Sequence, residues 1–286
     1  FSLLILSSEG QDIKLSPTKF EMGRNFANKL WNATRFVLPH LAGADANAEA
    51  LDPADRWIRS RLATVTRNVT KSLEACKFAE AAMELYHFAW GDFCSWYLEL
   101  RKNEIHGEDS PAKKSAVASC RMVLDNLTRL LQPFMPALSE ELREHLGLEQ
   151  AILSTWPVFA DAEVDEAAER SFARLIAAVE GVRSLRGRYQ IAPSRILSVT
   201  VRCEDQEALS DLEGNRAALA RLAGAELSLQ VGGDKPAFSG TEITKGMQVH
   251  VALEGILDKA AEIARLSKEL AEAEKFVVLP DRKSVV

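Results

Sequence analysis

The chain has 286 residues, 47% of them apolar and 27% charged, the balance of an ordinary globular protein. That excludes a disordered, collagenous or disulfide-stapled chain, and the length predicts two or three domains. The net charge of −6 excludes a global basic field, but residues 1–77 carry 11 Lys/Arg against 8 Asp/Glu, so one end is basic enough to meet a polyanion locally.

The opening Phe1-Ser2-Leu3-Leu4-Ile5-Leu6 is apolar, too short to span a bilayer and not preceded by Met. It reads as the end of an apolar helix in a piece of something longer. Ser16-Pro17, Asp52-Pro53 and Ser110-Pro111 each put a capping side chain before a proline suited to the first helical position. They predict helices over about 17–38, 53–77, 78–105 and 111–131. Gln132-Pro133 and Met135-Pro136 break the fourth, and a short fifth reaches Leu146. Ala42–Leu51, small and polar, reads as a loop, and no strand signal occurs in residues 1–150.

Residues 151–166 read as a connector containing Trp156-Pro157. A helix over 165–187, a strand at Ile196–Val201, a helix over 205–222, a strand at Glu226–Val231, a loop from Gly232 to Gly240 and a strand at Met247–Leu253 follow. Ile256, Ile263 and Leu270 recur every seven residues with Leu266 between, a coiled-coil seam that one helix cannot bury alone. The fold class is mainly α: a helical bundle (1–150), a connector (151–166), a small α+β domain (167–254) and a C-terminal coiled-coil helix (255–286).

On the first long helix, Phe20, Gly23, Ala27, Leu30, Trp31, Thr34, Val37 and Leu38 share one side and predict its core face. Opposite lie Asn25, Lys29, Asn32 and Phe36, flanked by Arg24, Asn28 and Arg35. Phe36 there has two readings: it tucks under the loop near Pro39 and Leu41, or it is an aromatic platform among amides and cations, which suits unpaired bases. On the second helix Arg56, Arg59, Arg67 and Lys71 lie opposite the apolar side, with Glu74 the only acid between Arg56 and Lys77. That stripe is either a solvated face or a phosphate contact. Arg183, Arg186 and Arg188 likewise suit a helix C-terminus or a nucleic-acid contact.

Catalytic motifs are missing: no phosphate-cradling glycine loop, no nucleophile elbow, no metalloprotease motif. Histidines 40, 87, 106, 145 and 250 do not pair at metal-ligand spacing, and the four cysteines are scattered as in a reduced, cytoplasmic protein.

The run Gly23-Arg24-Asn25-Phe26-Ala27-Asn28-Lys29-Leu30-Trp31-Asn32-Ala33-Thr34-Arg35-Phe36-Val37-Leu38 resembles the start of the anticodon-binding domain of valyl-tRNA synthetases. Leu51–Ile58, Gln132–Leu142 and Leu257–Leu266 fit later stations of that family, the last at the start of its coiled-coil arm. The resemblance implies the tRNA-binding region of a class I ligase that joins valine to its tRNA with ATP and magnesium. Both of that family's active sites lie upstream, so this stretch is expected to hold no cofactor and to be inactive alone. Its implied partners are a valine tRNA and the upstream catalytic domain, with no membrane. Self-association is expected through an arm whose second helix Val277–Val286 does not supply. Lys29, Arg35 and Phe36 match positions where the family touches anticodon nucleotides. Ala137, Ser139 and Arg143 replace the usual Phe, Thr and Trp, a change expected to alter packing rather than recognition. The competing reading is a helical scaffold that recruits a protein through the coiled coil, without RNA.

Overall fold

A computed structural model describes residues 1–6, 17–41, 52–256, 263, 267, 270 and 271. The Ser16 cap, the Ala42–Leu51 loop, seam residue Leu266 and the arm-like run after Ile256 fall outside them, apart from those last four isolated positions. Two compact units emerge, Phe1–Phe172 and Ala173–Val286.

Among its described residues the first unit has helices and no strand. It contains α1 (Ser2–Leu6), α2 (Pro17–Val37), α3 (Pro53–Glu74), α4 (Phe78–His87), α5 (Leu98–His106), α6 (Pro111–Leu131) and α7 (Pro136–His145). Residues Phe88–Tyr97 join α4 to α5 as a π-helix, so the predicted helix over 78–105 is present but widened in the middle. The cap signals act as read. The Asp52 carboxylate accepts from the Ala54 N–H at 2.8 Å and the Ser110 hydroxyl from the Lys113 N–H at 3.1 Å.

α3 is central. Its Trp57, Ile58, Leu62, Val65 and Val69 are buried with Leu85, Phe88, Phe93, Leu124 and Leu127, burial that contributes roughly 1.5–3 kcal/mol per large side chain. Within this apolar core Asp55 is fully buried. It accepts from Tyr97 Oη at 2.7 Å and from Ser115 Oγ, and pairs with Arg101 Nε at 3.1 Å. Burial pushes the Asp55 carboxyl up, and Arg101, Ser115 and Tyr97 pull it back. Arg143, standing where the resembled family has Trp, is buried at 2% exposure. Its guanidinium donates to Asp125 Oδ1 at 2.8 Å, Thr128 Oγ1 at 3.1 Å and the Glu149 carbonyl.

The connector is a packed part of the first unit. Trp156 Nε1 donates to Thr70 Oγ1 at 2.8 Å, the Asp165 N–H donates to Ser60 Oγ at 2.8 Å, and Trp57 stacks on Phe172 with centroids 5.0 Å apart. The boundary between units falls inside helix α8 (Glu166–Arg188), after Phe172.

The second unit holds the rest of α8, β1 (Leu197–Cys203), α9 (Gln206–Gly214), α10 (Arg216–Ala223), β2 (Ala225–Val231), β3 (Ser239–Thr244) and β4 (Met247–Ala252). The sheet order is β2-β1-β4-β3, parallel between β1 and β2 and antiparallel elsewhere. Two expectations are corrected. The helix predicted over 205–222 breaks at Asn215 into α9 and α10. β3, an edge strand, begins at Ser239 inside the predicted loop. Gly240 faces α8 so closely that a Cβ there would lie 2.5 Å from the Tyr189 ring.

The arginines ending α8 make contacts within the second unit. Arg186 donates to the carbonyls of Ala192, Arg195, Ala223 and Gly224 at 2.8–3.3 Å. Arg188 pairs with Glu242 at 2.8 Å, and Arg183 reaches the Leu222 carbonyl at 3.4 Å. Of the seam, Ile256 lies in a turn closing on the Leu253 carbonyl, outside any helix. Ile263 and Leu270 are helical and 55% and 61% exposed.

Candidate nucleic-acid interface

The core side of α2 is rotated from the predicted one. Gly23, Phe26, Leu30, Ala33, Thr34 and Val37 are buried, while Phe20 is 44% exposed and Ala27, Trp31 and Leu38 lie at the margin. Phe26 sets the rotation. Its ring sits between Phe1 (centroids 4.8 Å) and Tyr86 (5.3 Å), pulling that side of the helix inward. The outward stripe is therefore Arg24, Asn25, Asn28, Asn32 and Arg35, all exposed, with Lys29 and Phe36 half-buried along one edge.

Lys29 is held by two groups of the π-helical segment. Its ammonium donates to Ser95 Oγ at 2.6 Å and lies 4.0 Å from the centroid of the Trp90 ring. Phe36 is half-buried. It meets the His106 ring edge-on at 4.5 Å, and His106 in turn shares a 3.2 Å hydrogen bond with His40. Partial burial, with Lys113 and His106 nearby, holds His40 below its ordinary pKa, so this imidazole pair is uncharged on the His40 side at neutral pH.

Next to Phe36 on α2, Arg35 forms part of the wall of a pocket of about 220 Å3, with Trp31, Thr34, Leu38, Leu142 and His145. Trp31 and His145 meet edge-on at 5.3 Å. Apolar walls with a guanidinium and an imidazole suit a flat, polar-edged ring such as a nucleobase.

The basic stripe of α3 has partners within the first unit. Arg67 pairs with Asp161 at 2.9 Å, Arg56 with Asp165 at 3.9 Å, and Arg59 Nε donates to Ser119 Oγ at 2.8 Å. Arg61 bridges Asp92 and Glu169 at 3.0 and 3.2 Å. Arg56 and Arg67 thus meet the connector, Arg59 meets α6, and the neighbouring Arg61 meets the first turn of α8. Lys71 stays exposed beside a pocket of about 250 Å3 whose walls include Trp156 and Phe159.

The structure groups Asn25, Lys29, Asn32, Arg35 and Phe36 on one surface, and gives Arg56, Arg59 and Arg67 partners within the first unit. Beside that surface the structure also places Trp31, Trp90, Ser95, His106 and His145, to which sequence spacing does not point. Trp31 lay in the right helix but was assigned to the core, and the histidines were considered only as metal ligands. Among the described residues no group of three His, Cys, Asp or Glu is placed to hold a metal ion, and no helix is long and apolar enough to cross a membrane.

Comparison with known proteins gives a consistent picture. The family described as the anticodon-binding domain of tRNA ligase matches residues 55–201. The chain is 34% identical over 295 residues to the valine–tRNA ligase of Syntrophotalea carbinolica, covering 99% of this chain and 33% of that protein. It is 36% identical over 286 residues to that of Bacillus subtilis, covering 97% and 32%. For Fusobacterium nucleatum the figures are 35% over 295 residues, 99% and 33%. The chain spans about a third of the length of these curated relatives.

Proposed function

The chain belongs to the family of anticodon-binding domains of tRNA ligases, and from that membership we propose that it binds the anticodon loop of a valine tRNA, in the cytoplasm, as part of a valine–tRNA ligase. The outward face of α2 carries the reading: an amide and cation stripe from Arg24 to Arg35, edged by Lys29 and the Phe36 ring and adjoining the Trp31–Arg35–His145 pocket. Lys29 and Phe36 are seven residues apart, ~10 Å along the helix, a span for two or three unstacked nucleotides. Stacking on Phe36 and the pocket supplies affinity for bases, the asparagine amides read base edges, and the cations hold phosphate.

The test compares binding of the chain to a valine tRNA and to the same tRNA with a substituted anticodon, across a salt series. Tighter binding of the first at every salt concentration is expected. Equal binding of both would overturn the anticodon reading.

Activation of valine with ATP and magnesium belongs, on this reading, to another part of the ligase. The chain alone is expected to show no valine-dependent pyrophosphate exchange, and exchange by the pure protein would contradict that. The exposed Ile263 and Leu270 support self-association through the heptad seam. Light scattering over a concentration series is expected to show mass rising with concentration, and a strictly monomeric chain would remove this part of the proposal.

A further inference from the structure

We propose that Trp90 and Ser95 are positioning residues that aim the Lys29 ammonium at the RNA, an inference that rests on α2 being the anticodon face. The hydroxyl of Ser95 has one donor. It spends that donor on the Trp90 carbonyl at 2.7 Å, because a carbonyl only accepts. Toward Lys29 it therefore acts only as an acceptor, at 2.6 Å. The Trp90 ring face takes a second side of the ammonium. One donor of the three is directed at Ser95 and one at the ring, leaving the remainder for an outside acceptor.

The π-helical turn makes this cradle possible. In a regular α-helix, residues 90 and 95 would point ~140° apart, at 100° per residue, and only one would face Lys29. In a segment whose backbone bonds run i to i+5 they come to one face. Wide turns of this kind cluster at functional sites.

Charge gives the cradle its purpose. Among the described residues Lys29 has no carboxylate partner; it is held by a neutral hydroxyl and a neutral ring. Its neighbour Cys94 stays a thiol, since burial pushes its pKa up to about 12. By contrast Asp161 and Asp165 pair with Arg67 and Arg56. A cation fixed by neutral groups keeps its whole charge for a phosphate, and its orientation is set before binding.

The experiment measures affinity of the chain for the anticodon stem-loop of a valine tRNA over a salt series. The variants are Lys29→Ala, Ser95→Ala, Trp90→Leu and Trp90→Phe, and the first three are also combined. Lys29→Ala is expected to weaken binding and to lower the salt slope by about 0.7, one phosphate contact on single-stranded RNA. Ser95→Ala and Trp90→Leu are each expected to weaken binding roughly five- to tenfold with the slope unchanged, because the charge remains. Trp90→Phe, which keeps a ring face, should restore most of the loss. In the Lys29→Ala background neither Ser95→Ala nor Trp90→Leu should cost anything further. Wild-type binding by Ser95→Ala, with Lys29→Ala impaired, would overturn the positioning role and leave the anticodon reading intact, as would losses that add fully to that of Lys29→Ala. Unchanged binding by Lys29→Ala would overturn the role of Lys29 itself and the cradle with it. Ser95→Ala removes a single exposed hydroxyl, so the test stands even where Trp90→Leu fails to fold.

Discussion

The ring of Phe36 meets the His106 imidazole edge-on at 4.5 Å, and a 3.2 Å hydrogen bond to His40 holds that imidazole in turn. An aromatic ring on the outer edge of a helix thus has a fixed plane without being buried.

Phe36→Ala is therefore expected to weaken tRNA binding by roughly 1–3 kcal/mol, the range for one stacked base, with little change in salt dependence. Titration of the variant with a valine tRNA and its anticodon-substituted counterpart checks this. Unaltered affinity for both RNAs, combined with a lower melting temperature, would make the ring a packing residue only.

Salt dependence should separate the cations of α2 from those of α3. Arg35→Ala should flatten the salt slope by about 0.7 per lost phosphate contact. Arg67→Ala and Arg56→Ala lose pairs with Asp161 and Asp165, exposed bridges contributing about 0–1 kcal/mol to stability, and should leave the slope unchanged. A slope reduced by Arg67→Ala would put the α3 stripe back in the interface.

The difference between those two stripes marks how far the sequence could be read. Helix starts at Pro53 and Pro111 were legible because the capping side chain and the proline are adjacent in the chain. Which residues of α2 are polar and outward was legible from spacing only to within a rotation that moves Lys29 and Phe36 to its edge. The fate of Arg56, Arg59 and Arg67 was not, because their partners Asp165, Ser119 and Asp161 are far along the chain and the pattern of one helix does not contain them. The rotation of α2 was hidden for the same reason, since it depends on Phe26 meeting Phe1 and Tyr86. β3 lacked apolar alternation: its Ile243 is 74% exposed at a sheet edge. The π-helical turn at Phe88–Tyr97 has no spacing rule that would announce it.

Stability of the bundle should depend on the buried pair of Asp55 and Arg101. Arg101→Met leaves the Asp55 carboxylate in the core without its cation, a loss of about 3–5 kcal/mol. Denaturant unfolding of the chain measures it. A midpoint within error of wild type would mean that Tyr97 and Ser115 alone satisfy the carboxylate.

Acid should destabilise the second unit through His250. Burial, with Arg202 and Lys235 nearby, lowers its pKa in the folded chain, while the unfolded chain has the ordinary ~6.5. Between the two values the unfolded chain binds more protons. Stability is thus complete above about pH 7, falls as pH drops through ~6.5 toward the lowered value, and levels off below it. Thermal melts of wild type and His250→Gln at a series of pH values are expected to show a weaker acid loss in the variant. Parallel curves would assign the acid sensitivity elsewhere.

Arg186 touches carbonyls on both sides of β1: Ala192 and Arg195 before it, Ala223 and Gly224 after α10. A planar guanidinium can serve four acceptors at once where an ammonium, with three donors on a single atom, cannot. The two chain crossings at that end of the sheet are latched by one side chain, so neither opens without loosening the other. Amide exchange in the two crossings should rise and fall together, as though residues 196–222 between them did not exist.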